Sequence, residues 1–273
     1  MMRHFRGATL AAVTAFGLGS GACAADLPVK APVAAVIAPA PTWTGFYVGG
    51  NIGGAWGRFD NAYAPVPVSN PPGFSPENAA TIAANGSNIL SPASPVIGIQ
   101  AGYNHRVDWA VIGVEADFGY LGLRASTGGS FRVPAVGIQT SSSSVDAPWL
   151  FTLRPRVGVM FGPTLLYATG GLAVANVKLD ETNSFEPGRT SAGSDILSVS
   201  RTQFGWTAGA GVEHRLAARW SIKGEFLHVD LGRLNATSSS NSPFLGNTTP
   251  IFYRHSLSST AEIARVGFNY KLN

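Results

Sequence analysis

Charge, cysteine and long apolar runs are all scarce in this sequence, and each shortage excludes a class of protein. Charged residues occupy 12% of the 273 positions, about half of the ~25% usual in soluble globular domains. A chain so poor in charge, yet with an ordinary 45% of hydrophobic residues, does not read as a soluble enzyme with a solvated charged surface. Cysteine occurs once, as Cys23, so neither an intrachain disulfide nor a thiolate metal site is expected. Beyond the first residues no apolar run approaches the ~20 residues of a transmembrane helix. The formal net charge of +4 is too small an excess of base to indicate nucleic acid.

Turning to what is present, residues 1–25 read as a secretory signal. Arg3 and Arg6 form a basic start, Ala8 to Leu18 a short apolar stretch, and Ala22-Cys23-Ala24 a small-x-small cleavage pattern. Cleavage is expected after Ala24 or Ala25. The alternative, a lipoprotein signal acylated at Cys23, calls for Leu three positions earlier, where Ser20 stands. Loss of Arg3 and Arg6 takes Lys and Arg from 19 to 17 against 15 acids, a net charge of +2. Residues 26–42 carry four prolines among Ala and Val and read as an extended periplasmic linker. The third expected region is 43–273.

From Trp43 onward, apolar and small or polar residues alternate with period two in eight segments, about 43–59, 95–107, 109–123, 149–161, 164–180, 200–216, 219–235 and 252–272. In the third, Ile112, Val114, Ala116, Phe118 and Tyr120 alternate with Gly113, Glu115, Asp117 and Gly119. In the sixth, Phe204, Trp206, Ala208, Ala210 and Val212 alternate with Gly205, Thr207, Gly209, Gly211 and Glu213. A strand sorts such residues onto two faces, whereas a helix scatters them. The connections run long, short, long, short, long, short, long. The long ones lie near 60–94, 124–148, 181–199 and 236–251; the short ones centre on Asp108, Gly162-Pro163 and Ala217-Ala218. That rhythm is expected of an up-and-down barrel with long loops on one side of a membrane and tight turns on the other. Since no backbone group can stay unpaired in hydrocarbon, strands cross only as a closed sheet. The fold expected is therefore all-β, an eight-stranded antiparallel transmembrane barrel with its interior filled by side chains. Trp43, Phe46, Trp109, Tyr120, Trp149 and Trp220 sit beside predicted turns, as interfacial girdles do.

Several stretches carry a family likeness. Ala25-Asp26-Leu27-Pro28, Trp43-Thr44-Gly45-Phe46-Tyr47-Val48-Gly49-Gly50, Glu225 to Gly232 and Ala264 to Lys271 together resemble the Omp25/Omp31-type outer-membrane barrels of α-proteobacteria, over nearly all of the mature chain. The resemblance implies the outer membrane of a Gram-negative bacterium, contact with its lipids and lipopolysaccharide, and insertion by the barrel assembly machinery. It implies a structural surface protein, with hemin binding reported for a few members. One departure is the ending Leu272-Asn273, where such barrels close on an aromatic residue.

Alternation turns Glu115, Asp117, Glu213 and Glu225 inward together with Arg154, Arg156, Lys223 and Arg265, four acids against four bases. A narrow lumen would pair them as an internal plug, the reading favoured here; the alternative is a charge-lined pore that conducts small solutes. Four histidines follow the signal. His105 and His214 fall near the periplasmic end, His228 and His255 in the outer half, without the spacing of a metal motif, so no metal or cofactor is expected. Surface heme capture through Tyr63, Tyr253 and His255 is the weaker alternative. His255-Ser256 and His228 with Asp230 supply ingredients of a lipid A-modifying enzyme without its arrangement, and the expectation is no enzyme. Glycine-rich stretches lack the setting of a P-loop and fit the crowded inner face of a small barrel.

Overall fold

Alternation with period two gives each strand one face for lipid and one for the interior, and pairing then decides whether the sheet closes. The computed structural model describes residues 42–66, 75–134, 137–187, 193–240 and 251–272. The signal, with its cleavage positions Ala24 and Ala25, and all of the linker but Thr42 lie outside them. Among the described residues there are nine strands and one helix: β1 (Gly45–Pro65), α1 (Pro76–Gly86), β2 (Asn88–Leu90), β3 (Ala93–Val107), β4 (Ala110–Val133), β5 (Gly137–Phe161), β6 (Thr164–Pro187), β7 (Gly193–Arg215), β8 (Trp220–Ser240) and β9 (Ile251–Lys271). Each long strand pairs antiparallel with the next, and β1 pairs with β9 from Tyr47↔Lys271 to Pro65↔Tyr253. The eight long strands thus close into a ring, and the three-residue β2 continues the line of β3 along β1. No described helix is long and apolar enough to cross a membrane.

The outer face carries an apolar band. Phe46, Ile52 and Trp56 of β1, Ile97 and Ile99 of β3, Phe118 and Tyr120 of β4, Phe204 and Trp206 of β7 and Phe268 of β9 all point outward and are exposed, Ile99 and Phe204 by 69%. The band gives way to polar residues toward the long-connection ends of the strands. Beyond Trp56 comes Arg58, beyond Tyr120 Arg124, beyond Phe204 Thr202, and beyond Ala264 Glu262. Exposed apolar surface on this scale marks a surface that faces something other than water, here the hydrocarbon of a bilayer.

The strands run far past that band. They reach 21–25 residues in β1 and β4 to β9, roughly twice the ~9–11 a tilted strand needs to cross. Most of the expected long loops are therefore sheet. Residues 124–133 and 137–148 are the ends of β4 and β5, 181–187 and 193–199 those of β6 and β7, and 236–240 the end of β8, while 60–94 holds the end of β1, α1 and β2. Outside the band both faces can be polar, so hydropathy does not alternate and the extended backbone leaves no hydrophobic trace. Residues 141–144, four serines in a row, still alternate between inner and outer faces in β5. The helix α1 begins at Ser75, whose side chain accepts from the Asn78 amide at 3.2 Å, with Pro76 as its first residue.

Candidate functional site in the barrel interior

The interior is layered along the barrel axis. At the short-turn end Trp43, Val111, Leu165 and Tyr167 form a small apolar plug. Next comes a layer of charge, then a large apolar cluster built from Ala55, Phe59, Leu123, Leu227, Leu257, Ile263 and their neighbours. Past it lies a second polar layer, and the far end is closed by Tyr63, Tyr253, Phe185, Val133 and Ile251 packed against Ile82 of α1.

All eight charged residues singled out from alternation stand in the first polar layer, none more than 7% exposed. Arg154 is its hub. Its Nη2 donates to Glu115 Oε1 and Asp117 Oδ2, each at 2.8 Å, and its Nη1 donates to Glu225 Oε1 at 3.2 Å. Arg265 grips Asp117 Oδ1 at 3.1 Å and Glu225 Oε2 at 2.6 Å. Lys223 Nζ lies 2.7 Å from Glu115 Oε1, and Arg156 Nη2 lies 2.6 Å from Glu213 Oε2. Arg156 Nη1, 3.5 Å from Glu115 Oε2, joins these into one connected set with four charges of each sign.

Neutral partners complete it, and these the alternation argument did not single out. Tyr47 donates to Glu115 at 2.8 Å and Tyr167 to Glu225 at 3.0 Å, while Arg156 sits 4.2 Å above the Tyr167 ring. Thr152 donates to Asp117, and Ser221 and Asn269 donate to Glu213. Asn269 also accepts from Gln100, which accepts from Asn51. Each occupies an inward position of its strand, so parity alone would have found them. Room for the long cations comes from glycine: a Cβ on Gly53, which faces Arg265 across the closing seam, would lie 2.1 Å from the Ala264 carbonyl oxygen.

The second polar layer lies beyond the apolar band, outside the membrane-spanning part of the barrel. His255 is wholly buried there. Its Nδ1 meets Glu181, its Nε2 meets the Ser238 hydroxyl at 2.7 Å, and Asp195 stands 3.6 Å from Nε2. Glu181 also accepts from Ser143 at 2.7 Å and from Asn61. Burial by itself lowers the imidazole pKa, but hydrogen bonds and charge from Asp195 and Glu181 outweigh it and raise the value to about 9.

Three expected surface residues are corrected by this layer. Tyr63, Tyr253 and His255 point into the barrel with at most 1% exposure, Tyr63 because β1 continues through the region read as loop, and the other two because they hold inward positions of β9. Tyr63 and Tyr253 stack at 5.2 Å. His255 and Ser256 point to opposite faces of β9, His228 pairs with Glu262 at 2.6 Å, and Asp230 accepts from the Gly232 amide at 2.8 Å. No trio of them converges. His105 and His214 stand near the short turns, His214 with Thr164 at 2.9 Å. No group of three or more metal-ligating side chains is found among the described residues.

A closed antiparallel ring, apolar outside and ion-paired within, defines an integral membrane β-barrel. Residues 9–248 match the family model for the outer membrane protein beta-barrel domain, and the chain belongs to that family, within its Omp25/Omp31-type branch. It is 33% identical over 266 residues to the 31 kDa outer-membrane immunogenic protein of Brucella melitensis, covering 96% of this chain and 98% of the relative. To the 22 kDa outer membrane protein of Rhizobium leguminosarum it is 30% identical, covering 72% and 68%; to the 25 kDa outer-membrane immunogenic protein of Brucella abortus it is 28% identical, covering 86% and 88%. The solved outer membrane protein OprG of Pseudomonas aeruginosa aligns with 13% identity and a TM-score of 0.44 over 84% of this chain and 97% of that one. Ail of Yersinia pestis aligns with 13% identity and a TM-score of 0.35, over 83% and 99%. The protein is thus an outer-membrane barrel.

Two substitutions probe the polar layers. Arg154→Met takes one partner from each of three buried carboxylates, leaving four acids against three bases, and should cost about 3–5 kcal/mol, read as a lower temperature for loss of the compact band on an unheated gel; an unchanged midpoint would show the network to be energetically idle. Because the His255 pKa is raised in the folded state, its contribution is complete below the unfolded value near 6.5 and fades as pH rises through about 9. Thermal melts should therefore show stability falling across that window in the native protein, and a flatter profile in His255→Gln.

Proposed function

We propose that the protein is a closed structural barrel that strengthens the outer membrane and displays its long-connection end outside the cell, with the short turns in the periplasm. The observation that carries this reading is the charge layer, in which every cation has a carboxylate within 3.2 Å and the set is walled by apolar clusters on both sides. A hydrated ion would have to break several buried pairs at once, each costing several kcal/mol. Balanced charge also gives the lumen no preference for either sign, unlike a selectivity ring. No catalytic role is assigned. The polar exterior beyond the band meets lipopolysaccharide, and insertion falls to the barrel assembly machinery.

Planar-bilayer recording on the folded protein tests the reading. A silent bilayer is expected at protein loads that give a full heat-modifiable band; regular unitary steps would overturn the plug in favour of a narrow porin. Orientation is tested separately by protease on intact cells. Cuts should fall only in the four long connections, and cleavage at Asp108 or near Ala217 before lysis would invert the topology.

A further inference from the structure

Beyond the apolar band three exterior cations are paired with a neighbour: Arg58 with Asp60 at 2.9 Å, Arg124 with Asp146 at 2.5 Å, Lys178 with Asp180 at 2.7 Å. Four arginines are not: Arg132 stands by itself on β4, and Arg201, Arg233 and Arg254 stand on the adjacent strands β7, β8 and β9. Arg201 of β7 donates Nη1 to the Asn235 carbonyl of β8 at 3.5 Å. Arg233, two residues before Asn235, donates only its Nε, to Ser258 of β9 at 3.1 Å. Arg254 of β9 faces Thr237 across the ladder. None of the three is ion-paired among the described residues. The acids nearby are engaged: Asp60 by Arg58, Asp230 by the Gly232 amide, Glu262 by His228.

The wall itself is open at this place. The β7–β8 ladder runs from Arg215↔Ser221 to Trp206↔Asp230 and no further. Yet β7 stays paired with β6 as far as Phe185↔Gly193, and β8 with β9 as far as Ser240↔Ile251. The facing edges, 193–205 and 231–240, share no ladder, and an edge without a ladder leaves backbone N–H groups for another acceptor. The opening starts just past Trp206, at the level of Phe204, the last residue of the lipid-facing band on β7.

We propose that the β7–β8 opening is a binding site for the phosphorylated head group of lipopolysaccharide, held by Arg201, Arg233 and Arg254. Guanidinium groups without carboxylate partners recognise phosphate in bidentate fashion, and the edge amides add donors. Position selects the source. A lipid whose acyl chains lie along Phe204, Trp206 and Phe226 carries its first phosphates at the level of Arg201 and Arg233, one or two rungs further out. The inference rests on the orientation proposed above, which the protease experiment tests independently.

The test uses purified, folded full-length protein and measures binding of defined lipopolysaccharide, the same material with its phosphates removed, and inorganic phosphate. The triple variant R201Q/R233Q/R254Q should lose about tenfold or more in affinity, the worth of one or two charge-assisted hydrogen bonds. Arg132→Gln, on β4 away from the opening, should bind as the native protein does. Dephosphorylated material should bind the native protein at least tenfold more weakly. Equal binding by the folded triple variant, or by dephosphorylated lipopolysaccharide, would overturn the site. Competition by inorganic phosphate as strong as that of lipopolysaccharide would overturn the lipid as its source. Should the triple variant fail to fold, comparing the two lipids on the native protein still decides.

Discussion

A polypeptide in hydrocarbon has no water to take up its amide and carbonyl groups, and leaving one unpaired costs several kcal/mol. Everything else in this barrel follows from meeting that demand through the β1–β9 seam. Closing the ring fixes the strand number, and the strand number fixes a lumen so narrow that it must be filled. Filling it makes side-chain identity on the inner face as constrained as in any protein core. Within the membrane-spanning band the roles are exchanged: apolar side chains cover the outside, and a layer of paired charge lies inside between apolar clusters.

A buried ion pair is generally a poor source of stability compared with an apolar core, yet removing one member is expensive. The charge layer therefore acts as a specifier of arrangement. Eight long or branched polar side chains from β4, β5, β7, β8 and β9 meet with all four carboxylates engaged. A one-residue slip of any of these strands would turn its charges to lipid. Register and closure are thereby coupled to one cluster, with apolar layers on either side that tolerate more variation.

How much of this could be read in the residues differs from one region to another. Within the apolar band, alternation placed the strands and sorted Glu115, Asp117, Arg154, Arg156, Glu213, Lys223, Glu225 and Arg265 to one face, because lipid forces contrast between neighbours. Past the band that contrast disappears. Thr140 to Ser144 or Thr182 to Ser184 is polar on both faces, so the same extended backbone looked like loop. The His255 layer was missed for a related reason: Glu181 and Asp195 lay in a stretch without periodicity, so His255, inside the last alternating segment, had no visible partners. Contacts across the ring, such as Lys223 with Glu115, join residues 108 positions apart, and only the closed sheet brings them together.

The distribution of charge within the hub also bears on how the barrel is made. The inner faces of β4 and β5 contribute Glu115, Asp117, Arg154 and Arg156, and those of β7, β8 and β9 contribute Glu213, Lys223, Glu225 and Arg265. Each group sums to zero by itself. Arg154 already meets Glu115 and Asp117 across the β4–β5 ladder, and Arg265 meets Glu225 across the β8–β9 ladder. A half-built sheet thus carries its neutralising partners on neighbouring strands before its edges join. Such a curved, unclosed sheet can be presented to a membrane without a net charge to drag through it, and the last seam only has to bring two neutral halves together.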